Sequence, residues 1–236
     1  MRKDGSKLGM GGTMEKPKRT RIQIRNEAKI LDCARRVFAD HGFGGATMEK
    51  IAELADMSQS NLHHYFKTKA DLYLSVLEHT LNVWIEPLEG LDPDGDPATE
   101  IMTYVGRKLE MARKDPEASR VFAHEMLAGA PFITARLQTQ VREQARRFAE
   151  IVEAWVAAGK IRDVDPYHLI FMIWATTQHY ADFAPQVKAV LGLSRLTKAE
   201  FGEASHTIGS VLVEGLFAPQ EDASPVMAAT NIERVL

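Results

Sequence analysis

The chain has 236 residues, 45% of them hydrophobic and 26% charged, with a formal net charge of −3. That length carries one large domain or two small ones with a proper core, and the balance excludes both a globally disordered chain and a uniformly basic protein. The single cysteine, Cys33, excludes an intrachain disulfide and suits a cytoplasmic protein; it falls in an apolar helical pattern and reads as a small core residue.

Residues 1–22 are rich in Gly and Lys and read as a basic mobile tail, with no apolar stretch of the kind a signal peptide needs. Positive charge clusters at this end, from Arg2 and Lys3 through Lys16, Lys18, Arg19, Arg21 and Arg25 to Arg36. A basic end on a mildly acidic body suggests a local anionic partner, a solvated tail being the plainer alternative. From 23 to 40, Ile24, Ala28, Leu31 and Phe38 recur at helical spacing, and the glycines of 41–45 stop that helix. Thr47 can cap a helix over 48–54, a short turn follows at 55–57, and Ser58 can cap a third short helix over 59–66. After a second turn at 67–69, a longer amphipathic helix is expected over 70–88, then a loop over 89–97 marked by Pro93, Gly95 and Pro97.

Beyond that loop every segment reads helical: 98–113, 117–127, 131–158, a helix opened by Asp165-Pro166 and ended by Pro185, and 197–217 behind the capping box Thr197-Lys198-Ala199-Glu200. Residues 218–236 read as a loose tail. The pattern contains no strand and no repeat, so the fold expected is all-α. An N-terminal helix-turn-helix domain (23–69) is joined by a long helix to a second helical domain (70–217).

Three short helices with a three-residue turn before the third suit an element that enters the major groove of double-stranded DNA. Gln59, Ser60, Asn61, His63 and His64 would be exposed on it, while Leu62 and Phe66 face the core. Gln and Asn pair bidentately with adenine, and Thr47, Ser58, Tyr65 and Lys69 stand at helix ends where hydroxyl and ammonium groups reach phosphates. The same pattern also fits a polar surface on a small bundle.

The most apolar stretch runs from His168 to Pro185, but Gln178, His179 and Asp182 interrupt it, so no membrane span is expected. On a helix, Ile170, Trp174, Gln178 and Ala181 share one face, and Met172, Thr176, His179 and Phe183 the other. Such a helix is buried on both sides. No nucleophile elbow, phosphate loop or dinucleotide fingerprint occurs, the histidines contain no H-x-x-x-H pair, and His63 and His64 diverge on a helix. Neither an enzyme, nor a metal site, nor a cofactor is expected. A carboxylate such as Glu125 or Asp182 in a pocket would more simply be a hydrogen-bonding group.

Thr47-Met48-Glu49-Lys50-Ile51-Ala52, Ala55-Asp56-Met57-Ser58 and the run from Leu62 to Leu72 resemble the DNA-binding domain of the TetR family. Asp56 departs from the glycine common in that turn and His63 from the common tyrosine, so no operator sequence carries over. The stretches 118–122 and 125–131, and above all His168 to Val187, are similar to the RutR group of that family, which controls pyrimidine catabolism and responds to uracil and thymine. The resemblance implies a homodimeric repressor whose second domain binds a small-molecule effector and dimerises through its last two long helices. It implies a pocket containing Trp84, Trp174 and Gln178. The interface would be formed by Thr176, His179 and Phe183, with Gly209 permitting close approach of the last helix. Two alternatives stay open: a TetR-type repressor of another apolar or aromatic ligand, and a nucleobase-binding protein or enzyme whose helix-turn-helix is only structural.

Overall fold

The computed structural model describes residues 20–217; the two tails expected at 1–22 and 218–236 lie, apart from residues 20–22, outside the described residues. The described chain is helical throughout. The helices are α1 (Arg21–Gly45), α2 (Met48–Leu54), α3 (Gln59–Tyr65), α4 (Lys69–Glu89), α5 (Pro97–Lys114), α6 (Pro116–Leu127), the short α7 (Thr134–Arg136), α8 (Arg142–Ala157), α9 (Pro166–Asp182), α10 (Ala184–Leu191) and α11 (Lys198–Phe217).

Local chemistry explains most of these boundaries. Thr20 and Gln23 form a reciprocal capping box on α1, and Thr68 and Asp71 another on α4. Thr47 and Ser58 cap α2 and α3 by accepting the backbone N–H of Lys50 and of Asn61, each at 3.2 Å. Asp96-Pro97, Asp115-Pro116 and Asp165-Pro166 place an accepting carboxylate at the cap and proline in the first turn, where its missing N–H is not needed. Gly192, at φ 66°, ends α10 in the left-handed conformation.

Two apolar cores result. One joins α1–α4 around Ile30, Phe38, Ile51, Leu62, Leu72 and Leu77 and reaches Val121 of α6. The other joins α5, α8, α9 and α11 around Tyr104, Leu109, Phe148, Trp155 and Ile173. Cys33 is buried in the first, and burial pushes its thiol pKa up.

Three features depart from expectation. The helix expected over 131–158 begins only at Thr134 and passes through a π-helical turn, Leu137–Val141, before α8. Its start is delayed because the buried Glu125 carboxylate accepts the N–H groups of Phe132, at 2.6 Å, and Ile133, at 3.2 Å, and so holds a turn there. Second, Pro185 lies inside the first turn of α10, a helix not expected, while α9 has already ended at Asp182. Third, Gly209 is buried within the subunit: a Cβ there would collide with Met102 Sδ on α5. Its missing side chain lets α11 approach α5 of the same chain, which corrects its assignment to a subunit interface.

Candidate nucleic-acid interface and ligand site

The turn between α2 and α3 works because Asp56 adopts φ 50°, a left-handed conformation that Asp accepts better than most residues, while Ala55 is buried beneath it. Leu62 and Phe66 anchor α3 to the first core, leaving Gln59, Ser60, Asn61 and His64 exposed. Asn61, His64 and Tyr65 border a hollow of about 270 Å³ with Gln23 and Glu27 of α1. Asn26 Nδ2 donates to the Tyr65 hydroxyl at 3.0 Å, tying the first turns of α1 to the end of α3. Thr47 and Ser58 are exposed beside this face; as caps they use their oxygens as acceptors and keep their hydroxyl protons for donation. The half-buried His63 turns toward the chain, its Nδ1 lying 3.2 Å from the Lys67 carbonyl.

Lys69 is held differently from a free phosphate contact. Its ammonium donates to the carbonyls of Phe43, at 2.8 Å, and Ala46, at 3.0 Å, and stands 4.4 Å from the centre of the Phe43 ring. It closes the end of α1. Lys69→Ala is therefore expected to lower stability by about 1–3 kcal/mol, since two partly buried carbonyls lose a charged donor. Thermal unfolding checks this; an unchanged melting temperature would leave Lys69 without the structural task.

In the second domain, Trp174, Gln178 and Asp182 follow one another at four-residue spacing along α9, and Tyr104 and Lys108 do so along α5. The two rows face each other. Trp174 Nε1 donates to the Tyr104 hydroxyl at 2.7 Å, and Lys108 interacts electrostatically with Asp182. Gln178 stands between these two links. Ser119 of α6 donates to Asp182, and Phe122, also on α6, packs on Trp84 of α4 with ring centres 5.0 Å apart. Lys108 Nζ lies 4.7 Å from the centre of the Trp84 ring. Trp174 is thus tied to Tyr104 of α5 and Trp84 to Lys108 one turn further along α5, while Gln178 lies on α9 one turn from both Trp174 and Asp182.

The charges there are perturbed by burial. Lys108 is 5% exposed, and desolvation pushes its pKa down from 10.5 to about 8, opposed by the Asp182 carboxylate. Burial raises the Asp182 pKa, against lowering by Ser119, His179 and Lys108. No hydrogen bond is formed by the Lys108 ammonium among the described residues. A buried cation with only a ring and a carboxylate nearby can donate to a ligand carbonyl. The motifs alone did not reveal Lys108, Tyr104, Ser119 or Phe122. A lysine four residues after a tyrosine on the buried side of an amphipathic helix was the available signal. Glu125, the other carboxylate considered, is tied to backbone N–H groups as described above. Among the described residues no cluster of three metal-ligating side chains forms, and no helix is long and apolar enough to cross a membrane.

The opposite side of α9 and its C-terminal end carry exposed apolar groups, Met172 and Phe183, the latter 54% exposed, while the exposed Phe171 packs its ring against Trp174 at 5.9 Å. Phe183 stacks on the exposed His179 with ring centres 5.1 Å apart, and Thr176, half-buried, donates back to the Met172 carbonyl at 2.9 Å. On α11, Gly202 and Gly215 open onto free space.

A helix-turn-helix before a larger helical domain is the architecture of a DNA-binding transcriptional regulator. Residues 30–76 match the model of bacterial regulatory proteins of the tetR family, and residues 77–219 match that of the C-terminal region of YcdC-like proteins. The chain is 40% identical over 209 residues to the HTH-type transcriptional regulator RutR of Escherichia coli strain K12, covering 89% of this chain and 99% of the relative. It is 30% identical over 144 residues to the repressor NicS of Pseudomonas putida, covering 59% of this chain and 67% of that one. Among solved structures, a tetR-family regulatory protein from Rhodococcus RHA1 superposes with a TM-score of 0.67 at 20% identity, covering 82% of this chain and 97% of the other. The chain belongs to the TetR family and is close to RutR within it.

Proposed function

We propose that the chain is a homodimeric regulator whose affinity for a near-palindromic operator is lowered by a small planar pyrimidine, uracil or thymine. The observation that carries this reading is the row Trp174, Gln178 and Asp182 set against Tyr104 and Lys108, beside Trp84. Uracil alternates N–H donors and C=O acceptors around a flat ring. The Gln178 amide both donates and accepts, Lys108 donates to a carbonyl, Asp182 accepts an N–H, and an indole covers the ring face. The 40% identity to RutR supports the same choice.

Helices α4 and α6 provide the link to DNA. Trp84 sits on the helix that continues into the DNA-binding domain. Ser119 and Phe122 sit on α6, which grips α1 through Arg35 Nη1 and Asp115 at 2.9 Å and through Arg120 and Asp40 at 3.6 Å. A ligand that changes the Ser119–Asp182 link shifts α6, and with it α1. It does so only through different affinities for the operator-bound and released states. In a dimer the two copies of α3 would read half-sites about one helical turn, ~34–36 Å, apart.

A gel shift with DNA from upstream of the chain's own coding region tests this reading. Uracil and thymine are expected to release the complex. Cytosine binds far more weakly, because its amine reverses one donor–acceptor position and leaves a buried group unpaired. Gln178→Leu is expected to bind the DNA normally and to lose the response to uracil. A fully responsive Gln178→Leu, or equal affinity for uracil and cytosine by calorimetry, overturns the pyrimidine effector and favours a TetR-type repressor of another ligand. No shift with any upstream fragment favours a protein whose helix-turn-helix is only structural.

A further inference from the structure

Besides the aromatic residues, six polar or charged side chains are buried among the described residues. Four of them are hydrogen-bonded: Ser119 to Asp182, Glu125 to the backbone of Phe132 and Ile133, Gln144 to Glu89, and Thr177 to the Ile173 carbonyl. Lys108 faces the site described above. Thr80, in the middle of α4 and 4% exposed, is left over, and its hydroxyl forms no hydrogen bond among the described residues. A threonine inside a helix can bond back to a carbonyl of the preceding turn, as the other buried threonine, Thr177, does at 2.7 Å. Thr80 does not.

Thr80 and His79 border both of two adjoining hollows. The first, about 250 Å³, lies between α1 and α4 and is walled by Leu31, Arg35 and Val76. The second, about 150 Å³, lies between α4, α5 and α6 and is walled by Trp84, Met111 and Ala118. Both linings are mainly apolar. The ionic groups around them are already paired: Asp32 with Arg35 and Arg36, Arg35 also with Asp115, and Lys114 with Glu110. The seam therefore offers apolar walls, an indole and a thioether for packing, and one spare hydroxyl, but no spare charge. Joined, the hollows reach the size of a small-molecule site, which begins at ~300 Å³. Because α1 belongs to the DNA-binding domain and α6 to the second, a molecule lodged here touches both.

We infer that this seam is a second ligand site, for a small neutral aromatic molecule with one hydrogen-bonding group that pairs with the Thr80 hydroxyl. It is separate from the proposed pyrimidine site and independent of that reading: of the groups assigned to the pyrimidine, only Trp84 borders either hollow. A buried hydroxyl without a partner is unfavourable, and a ligand with the complementary group removes that cost.

The test measures binding of para-fluorophenol and para-fluorotoluene by fluorine NMR. The two probes differ only in hydroxyl against methyl. Three proteins are compared: the parent chain, Thr80→Val, which keeps the shape and removes the hydroxyl, and Thr80→Leu, which fills the space the hollows share. The parent is expected to bind both probes at millimolar concentration and to favour the phenol. In Thr80→Val the preference for the phenol should fall by roughly threefold to tenfold, the effect of one hydrogen bond. Thr80→Leu should weaken both probes by at least about tenfold, one hydrogen bond's equivalent or more of lost packing.

No binding of the phenol to the parent overturns the site. So does the same preference in Thr80→Val, since the hydroxyl would then not meet the ligand. A folded Thr80→Leu that binds both probes like the parent places them elsewhere. If Thr80→Leu fails to fold, the preference measured in Thr80→Val decides alone. Thr80→Val should also melt no lower than the parent, because it loses no hydrogen bond; a lower melting temperature would mean that the hydroxyl already has a partner within the protein, and overturns the site as well.

Discussion

Replacing Lys108 with methionine is expected to raise stability at pH 7 and abolish the response to effector in one step. The lysine is buried, and its pKa falls from 10.5 to about 8 in the folded chain. Between those values the unfolded chain holds more protons than the folded one, so the stability of the parent protein should rise with pH across this window. Below about pH 8 the ammonium is charged in both states, and the folded state carries the full desolvation cost. The depression corresponds to roughly 3 kcal/mol, at about 1.4 kcal/mol per pH unit. Methionine keeps the length of the stem without the charge, but it also removes the cation facing Asp182. A net gain of about 1–2 kcal/mol is therefore expected, because losing that partner offsets part of the relief. Thermal unfolding at pH 7 and pH 10 measures both effects: the variant should melt higher at pH 7, and the difference should shrink at pH 10. Loss of stability at pH 7 would mean that the ammonium's interactions outweigh its desolvation. A variant still released from DNA by uracil would remove Lys108 from the ligand site.

Phe183→Asp is expected to convert a dimer into monomers. Phe183, just past the end of α9, and Met172, about three turns earlier on the same side, both leave apolar surface open in the single chain. In a two-fold interface each substitution occurs twice, so two carboxylates would be buried without partners, at several kcal/mol each. Sedimentation at micromolar concentration should show the parent as a dimer and the variant as a monomer. Operator binding should fall with it, since one recognition helix alone holds half a site. A well-folded dimeric variant would place the subunit contact elsewhere.

The helix-turn-helix was legible because its determinants are local. The caps Thr47 and Ser58 and the left-handed Asp56 act within four residues of themselves, and the alternation of Leu62 and Phe66 with polar neighbours sets the exposed face. The same holds for the Asp165-Pro166 opening of α9.

What side chains do at a distance was not legible. Lys69 looks like a phosphate ligand in sequence, yet its ammonium meets carbonyls 26 and 23 residues earlier in the chain. Gly209 looks like a contact between subunits, yet it lies under Met102 of its own chain. Lys108 looks like one more surface lysine until α5 is packed against α9 and its charge is left facing Asp182 and Trp84. Hydrogen bonds within a turn depend on neighbours in the chain and are written into short stretches of sequence. Burial and the pairing of charges depend on which helix faces lie against each other, and only the packed structure determines that.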